Sequence, residues 1–341
     1  MVLMFAVSVI GAGQWGVNYL RVFRELDDAK VKWCCDTDKG RLEKIKKFFP
    51  GVLLTIDYND ILKDKEVSAV CIATPATTHY KIVKECLEAG KDVLVEKPIT
   101  INSEETVELI KLAEKSDRIL MVGHIFLYHP AVEKLKELIT KNELGKIYYL
   151  YSSRTGLGPI RADVNAMWDL APHDISIFCY LLGTQPISVN ATGVARLRDK
   201  IEDVVFLTLR FPNNTIGHIH VSWFDYKKIR KMVTVGSKKM AVFDDTETNE
   251  KLKIITATQP DERLHLTYDE FLRAIRYGDI YTPSIDLTEP LKLEISHFME
   301  CIKNRKQPKT DGYNGLQVVK ILEAAQKSLM KNGALVKINK C

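Results

Sequence analysis

"VSVIGAGQWGVNYL" (Val7–Leu20) places three glycines, Gly11, Gly13 and Gly16, directly behind a short apolar run. An apolar strand that passes into a helix through Gly-x-Gly-x-x-Gly is the setting of a dinucleotide-binding turn. The first glycine permits the tight turn, the second lets the backbone approach a pyrophosphate, and the third lets helix and strand pack closely. The helix N-terminus then presents unpaired N–H groups and partial positive charge to the phosphates. A glycine triplet alone is weak evidence. Asp36 adds to it, because it lies 20 residues past Gly16 at the end of the second apolar run. An acid at that place binds ribose hydroxyls and repels a 2′-phosphate, which favours NAD over NADP. Arg41 stands close enough to act in the opposite sense. The competing reading is a structural turn followed by a surface Asp.

Beyond the turn, apolar strands and helices alternate as far as residue 124. Strands are expected at Phe5–Ile10, Val31–Cys35, Val52–Leu54, Ser68–Thr74, Asp92–Pro98 and Arg118–His124. The intervening helices are expected at Gln14–Glu25, Asp38–Phe48, Asp57–Leu62, Thr78–Ala89 and Ser103–Ser116, the last with Ser103 as N-cap. Continuous apolar strands of this kind form a parallel sheet covered on both faces. The pattern then changes. A helix over His129–Lys141 leads into an alternating strand, Lys146–Thr155, and a helix from Pro172 to Leu182. Short strands follow at Ile187–Ala195, Val204–Phe211, Thr215–Val221, Met232–Gly236, Met240–Asp244 and Leu252–Ile255, before two closing helices. The fold class is therefore α/β. An N-terminal doubly wound parallel-sheet domain, residues 1–124, precedes an α+β domain with an open, largely antiparallel sheet, residues 125–341, whose last helix is free to pack back on the first domain.

Composition narrows the function. The 341 residues are 46% hydrophobic and 27% charged, ordinary for a globular protein of about two domains. A net charge of +5 is too small to argue for nucleic acid. Lys227, Lys228, Arg230, Lys231, Lys238 and Lys239 read as solvated turns between strands rather than a polyanion site. The seven cysteines form no Cys-x-x-Cys pair, so neither zinc nor a disulfide framework is indicated, and reduced thiols in the cytoplasm are the simplest expectation. The apolar start "MVLMFAVSVIGAG" lacks a basic leader and is read as the first strand. No run approaches the length of a membrane span.

Ligands of doubly wound sheets bind beyond the carboxyl ends of the strands. Three segments end there: "ATPATTHY" (Ala73–Tyr80), "EKPIT" (Glu96–Thr100) and "GHIFLYHP" (Gly123–Pro130). They bring Thr74, Pro75, His79, Glu96 and Lys97 towards the cofactor, with Gln14 and Trp15 beside the glycines. Pro98 removes a donor and fixes the turn that aims Lys97, unless Lys97 is a plain surface lysine. In "WDLAPHDIS" (Trp168–Ser176), Asp169 and His173 are four apart. Pro172 suits a first helical turn, so Asp169 is expected just before the helix and His173 inside its first turn. A helix N-terminus disfavours an imidazolium, leaving His173 neutral as a general base must be. The alternative makes Asp169 a helix cap and His173 a core histidine. His124, and His129 beside it, flank the domain boundary within reach of a substrate. His218 and His220 share a strand face, but no further ligand is spaced to complete a metal site, and no metal is expected. The aromatic run Tyr148, Tyr149 and Tyr151 reads as sheet packing.

The ordered set "GAGQWG", "ATPATTHY", "EKP", "GHIFLYHPAV", "WDLAPHDIS" and "NGLQVVKILEAAQKS" resembles the glucose–fructose oxidoreductase/inositol dehydrogenase (Gfo/Idh/MocA) family over nearly the whole chain. The resemblance implies a Rossmann domain, an NAD cofactor, and an open sheet that often serves as an oligomer interface, hence a homodimer or homotetramer. It implies an active site lined by the Lys of Glu-Lys-Pro and the Asp and His of Asp-x-x-x-His, here Lys97, Asp169 and His173, and a Lys97–Pro98 peptide that is often cis.

"GQWGVN", "GHIFLYHPAV" and "LGPIRADVNAMWDLAPHD" are further similar to enzymes that oxidise the 3-hydroxyl of UDP-N-acetylglucosamine or its uronic acid on the way to surface glycans. That similarity implies a CH–OH dehydrogenase whose UDP-sugar would touch His124, Tyr128, Arg161, Asn165, Trp168, Asp169 and His173. Arg161 would pair with an anionic group, or else simply with Asp163. A dehydrogenase of a free sugar or inositol is the nearest alternative. A non-catalytic NAD-dependent regulator is the alternative of another class, although it has no need of Lys97 and His173.

Overall fold

The computed structural model describes residues 4–158, 160–257 and 277–339. Six parallel strands form the first sheet: β1 (Phe5–Ile10), β2 (Ala29–Cys35), β3 (Leu53–Thr55), β4 (Val67–Ile72), β5 (Asp92–Glu96) and β6 (Leu120–Gly123). Their order is β3-β2-β1-β4-β5-β6. This is the Rossmann order, whose direction of winding reverses between β1 and β4 and so opens a crevice beyond their carboxyl ends. Helices α1 (Gln14–Arg24), α2 (Lys39–Phe48), α3 (Asn59–Lys63), α4 (Ala76–Glu88) and α5 (Ser103–Ser116) connect the strands. The strands carry almost unbroken apolar residues because both faces are covered: Val7, Val9, Ala69, Cys71 and Leu94 are all buried with Tyr19, Leu20 and Phe23 of α1.

Helix starts follow side-chain chemistry. Asp38 caps α2 by accepting from the N–H groups of Gly40 and Arg41. The cap of α5 is Asn102, which accepts from Glu104 and Glu105, and not Ser103. Ser103 instead donates its hydroxyl to Glu323, and its N–H bonds the same carboxylate.

After a short 3₁₀ turn (Ile125–Tyr128) and α6 (Pro130–Thr140), the chain builds a nine-stranded sheet. Its strands are β7 (Ile147–Thr155), β8 (Ser188–Val194), β9 (Val204–Arg210), β10 (Ile216–Ser222), β11 (Ile229–Gly236), β12 (Lys239–Asp244), β13 (Leu252–Ala257), β14 (Tyr277–Tyr281) and β15 (Val336–Lys337). The order is β14-β13-β12-β11-β7-β10-β9-β8-β15, and every pair is antiparallel except β7 with β10. Strands β14 and β15 carry no sequence pattern that singles them out. Helix α7 (Ala166–Leu182) covers one face of this sheet and buries most of its own length, including Phe178. Leu150, Ser152 and Arg154 of β7 point to that face, while Tyr149 and Tyr151 point away and are exposed. Two long helices close the chain, α8 (Pro290–Asn304) and α9 (Gly312–Leu329).

The chain divides into two compact units. One holds the described residues up to Tyr128 together with Thr288–Glu323; the other holds those of His129–Leu287 and those from Ala324 onward. The last of these boundaries, between Glu323 and Ala324, falls inside α9. No helix among the described residues is long and apolar enough to cross a membrane.

Candidate active site

The glycine turn has the stereochemistry its spacing predicts. Gly11 has φ +98°, and a Cβ there would meet the Ala73 carbonyl oxygen at 2.6 Å; at Gly16 it would meet the Gly11 oxygen at 1.8 Å. Only glycine fits either position. A Cβ on Gly13 would meet nothing nearer than Arg41 Nη1 at 3.9 Å, so the space above Gly13 is open to a ligand. No side chain caps α1 at Gly13, and its first turn carries no acid, so the amides there are available to an anion. Asp36 is buried beside this turn. Its Oδ2 accepts the Ala12 N–H at 2.7 Å and its Oδ1 the Asp38 N–H at 2.8 Å, with Arg41 Nη1 3.4 Å from Oδ2. These residues fit a dinucleotide: an open backbone cradle for the pyrophosphate, and a fixed carboxylate for the ribose. Gln14 is exposed, and Trp15 is partly exposed with its ring 6.5 Å from that of Tyr19.

The loops after β4 and β5 are tied together by His79. Its Nε2 lies 2.9 Å from the Thr74 carbonyl and its Nδ1 2.8 Å from the Pro98 carbonyl. Carbonyl oxygens only accept, so both contacts are hydrogen bonds only with a proton on each ring nitrogen. Pro75 precedes the first turn of α4, and the Thr78 hydroxyl bonds both the Thr74 hydroxyl and the Pro75 carbonyl. The Lys97–Pro98 peptide is cis. Glu96 turns inward: Oε1 accepts from the Tyr19 hydroxyl at 2.9 Å, and Oε2 from the Lys97 N–H at 3.1 Å. It therefore holds α1 against the end of β5 and shapes the turn that carries Lys97, which is itself only half-buried.

His124, at the end of β6, is buried with Nδ1 2.6 Å from Asn314 Oδ1. Burial pushes its imidazole down to about 4, the Asn314 bond opposes this, and the Lys97 ammonium adds to it. With Nδ1–H donating to Asn314, Nε2 keeps a lone pair and has no hydrogen-bond partner among the described residues. Asn314 sits in "NGLQVV", where nothing in the sequence marked it as a partner of His124. Tyr128 is buried in the same unit, its hydroxyl 3.2 Å from Thr310 Oγ1 and its ring under Lys309 Nζ and beside His297.

In the second unit, α7 begins six residues earlier than the proline suggested, at Ala166, with Asn165 as N-cap. Pro172 is inside the helix and His173 lies in the third turn. The helix-terminus argument for a neutral His173 therefore fails, because that field acts within the first turn. Asp169 and His173 are instead one turn apart on a common face. His173 is 7% exposed. Asp169 accepts from Trp223 Nε1 at 3.0 Å, and its other oxygen stands 3.6 Å from Arg161 Nη1. Arg161 forks onto Asp163 at 3.0 and 3.1 Å. Asn165 is engaged throughout: Oδ1 accepts the Trp168 N–H, and Nδ2 donates to Glu202 and Gln326. Trp168 is buried and donates Nε1 to Gln326 as well. Asn165 and Trp168 thus build the helix start.

Sequence reasoning missed Trp223, Arg154, Asp174 and Arg230. Arg154 Nε and Nη2 meet Asp174 at 2.7 and 3.3 Å, with both side chains 3% exposed. The alternation of β7 places Arg154 inside, and that was the available signal. Arg230 is no turn residue, since β11 starts at Ile229 and Arg230 is half-buried. His129 caps α6, its Nδ1 accepting the Ala131 N–H and its Nε2 facing Asp245 at 3.5 Å. His218 and His220 have local partners, Thr208 at 3.2 Å and Ser153 at 3.1 Å, and His220 stacks on Phe206.

Two family models match the chain. The oxidoreductase family with an NAD-binding Rossmann fold covers residues 5–124, and the GFO/IDH/MocA C-terminal domain covers residues 132–242. The chain belongs to the Gfo/Idh/MocA family. It is similar to myo-inositol 2-dehydrogenase of Thermotoga maritima, 26% identical over 95% of this chain and 96% of the relative. It is 33% identical to UDP-N-acetylglucosamine 3-dehydrogenase of Acidithiobacillus ferrooxidans over 52% of this chain and 56% of that enzyme. Among solved structures, GnnA, a UDP-N-acetylglucosamine 3-dehydrogenase from the same organism, superposes with a TM-score of 0.81 at 23% identity, over 96% and 99% of the two chains. That likeness shows the fold. This Gfo/Idh/MocA member is accordingly an NAD-binding oxidoreductase, and the glycine turn and Asp36 fit that cofactor.

Proposed function

We propose that this family member oxidises a hydroxyl of a nucleotide sugar, C3 of UDP-N-acetylglucosamine or of its uronic acid. The observation that supports the substrate is the 33% identity to UDP-N-acetylglucosamine 3-dehydrogenase over 52% of this chain. The inositol reading is kept as second, because that relative matches along its whole length. Bound NAD supplies a hydride acceptor. The chain supplies the rest. Lys97 provides positive charge for the oxygen that becomes anionic as the carbon is oxidised. His173 takes the hydroxyl proton. Asp169, one helical turn away, orients His173. The neutral His124 beside Lys97 adds no competing cation.

Incubation with NAD and either nucleotide sugar, with hydroxylamine to trap a ketone, tests this reading. Reduced-nicotinamide absorbance and a trapped 3-keto product by mass spectrometry are expected. Absence of product from protein that binds NAD, together with turnover of inositol, would replace the substrate.

We also infer that the outer face of the nine-stranded sheet pairs with a second copy of the chain, in keeping with the family resemblance. Tyr149, Tyr151, Phe206 and Ile216 expose 44, 44, 43 and 37% of their surface there, and such an apolar face marks an interaction site. A monomeric mass by light scattering would remove this assembly. Burial pushes the thiols of Cys34, Cys35 and Cys86 up to about 12, so they are inert, which suits a cytoplasmic protein.

A further inference from the structure

Two guanidinium groups stand side by side on the α7-facing side of the large sheet. The antiparallel register of β11 with β7 sets Arg230 directly opposite Arg154. Like charges in directly opposed positions destabilise a ladder. Arg154 is neutralised by its fork onto Asp174. Arg230 is not: its guanidinium makes no hydrogen bond and no ion pair among the described residues. Acids surround it, namely Asp245, Asp174 and Asp169, but each is engaged elsewhere. Asp174 holds Arg154, Asp245 faces His129 and Lys251, and Asp169 binds Trp223 and approaches Arg161. Burial, and then the charge of Arg154, lower the pKa of Arg230. A half-buried cation beside a second one, with no partner of its own, breaks the rules of local stability in the way functional sites do.

We propose that Arg230 receives an oxyanion of the substrate, a carboxylate or a phosphate, in the neighbourhood of Asp169 and His173. Its planar fork matches either group with two parallel hydrogen bonds. Arg161, the anion partner expected from the sequence, already has Asp163 in its fork. The inference rests on the nucleotide-sugar reading and deepens it, because a neutral polyol offers this arginine hydroxyl acceptors but no negative charge.

The test compares wild type, Arg230→Gln and Arg230→Lys in the presence of NAD. Steady-state kinetics use UDP-N-acetylglucosamine and its uronic acid; calorimetry measures binding of free UDP and free glucuronate. Arg230→Gln is expected to raise KM on the order of 10- to 100-fold, the scale of one charged hydrogen-bonding group, with a smaller change in kcat. Arg230→Lys should recover part of the loss. A loss confined to the uronic acid and to glucuronate binding assigns the carboxylate. A loss with both nucleotide sugars and with UDP binding assigns the diphosphate. Unchanged KM and unchanged binding in Arg230→Gln would overturn the proposal. If wild type turns over neither nucleotide sugar, the substrate reading fails on its own. Arg230 is then judged by calorimetry: anion binding lost in the Gln variant supports the site, and equal or absent binding overturns it.

Discussion

Trp223 Nε1 donates to Asp169 Oδ2 at 3.0 Å. The indole is 2% exposed and follows directly on β10, so the sheet fixes the carboxylate that stands one helical turn before His173. Trp223→Phe keeps most of the ring bulk and removes the donor. If Asp169 orients His173, kcat should fall about 10-fold, the equivalent of one hydrogen bond of ~1.4 kcal/mol, with NAD affinity unchanged. A pH profile of kcat is the discriminating measurement. A shifted acidic limb, where the base becomes protonated, supports positioning of the base; an unshifted profile with only a lower melting temperature makes Trp223 purely structural.

Lys97→Met removes the charge at the end of β5 and leaves the strand its bulk. Loss of an electrostatic group aimed at a developing oxyanion costs roughly 10²- to 10³-fold in kcat. NAD titration followed by fluorescence should show nearly wild-type affinity. A variant that no longer binds NAD would instead make Lys97 a structural support for the cofactor loops.

Asp36→Asn neutralises the carboxylate while keeping an acceptor for the Ala12 N–H. Arg41, 3.4 Å from Asp36 Oδ2, is then available to a 2′-phosphate. The ratio of NAD to NADP efficiency should drop by about 10- to 100-fold, the scale of a charge-assisted contact. An unchanged ratio would mean that other residues exclude NADP.

His124 gives a pH dependence with a definite sign. Its folded pKa is pushed from 6.5 to about 4. Between those values the unfolded chain binds the extra proton and the native state does not, so stability rises with pH across this window. Its full contribution is present above 6.5 and is lost as pH falls towards 4. The loss is at most about 3 kcal/mol for this one group. Denaturant unfolding of wild type and His124→Gln at several pH values should show a smaller decline in the variant. Parallel curves would assign the decline to other groups.

Local chemistry made much of this protein legible. Glycines Gly11 and Gly16 admit no side chain, and unbroken apolar strands demand a doubly covered sheet, so the Rossmann unit and Asp36 followed from the chain alone. The alternation in "KIYYLYSSRT" likewise marked one buried and one open sheet face. Helix α7 starts earlier than Pro172 suggests because Asn165 caps it, its side chain accepting the Trp168 N–H; Pro172 stands inside the helix, where it has no N–H to give the Trp168 carbonyl. The partners of the site lie far along the chain: Trp223 for Asp169, Asn314 for His124, Arg230 beside Arg154. A sequence fixes each residue's chemical type and its local face. Only tertiary packing decides which distant groups meet, because strand register and helix placement bring together charges that no spacing rule connects. That Arg230 has no partner among the described residues, and with it the inferred anion, belongs wholly to that second level.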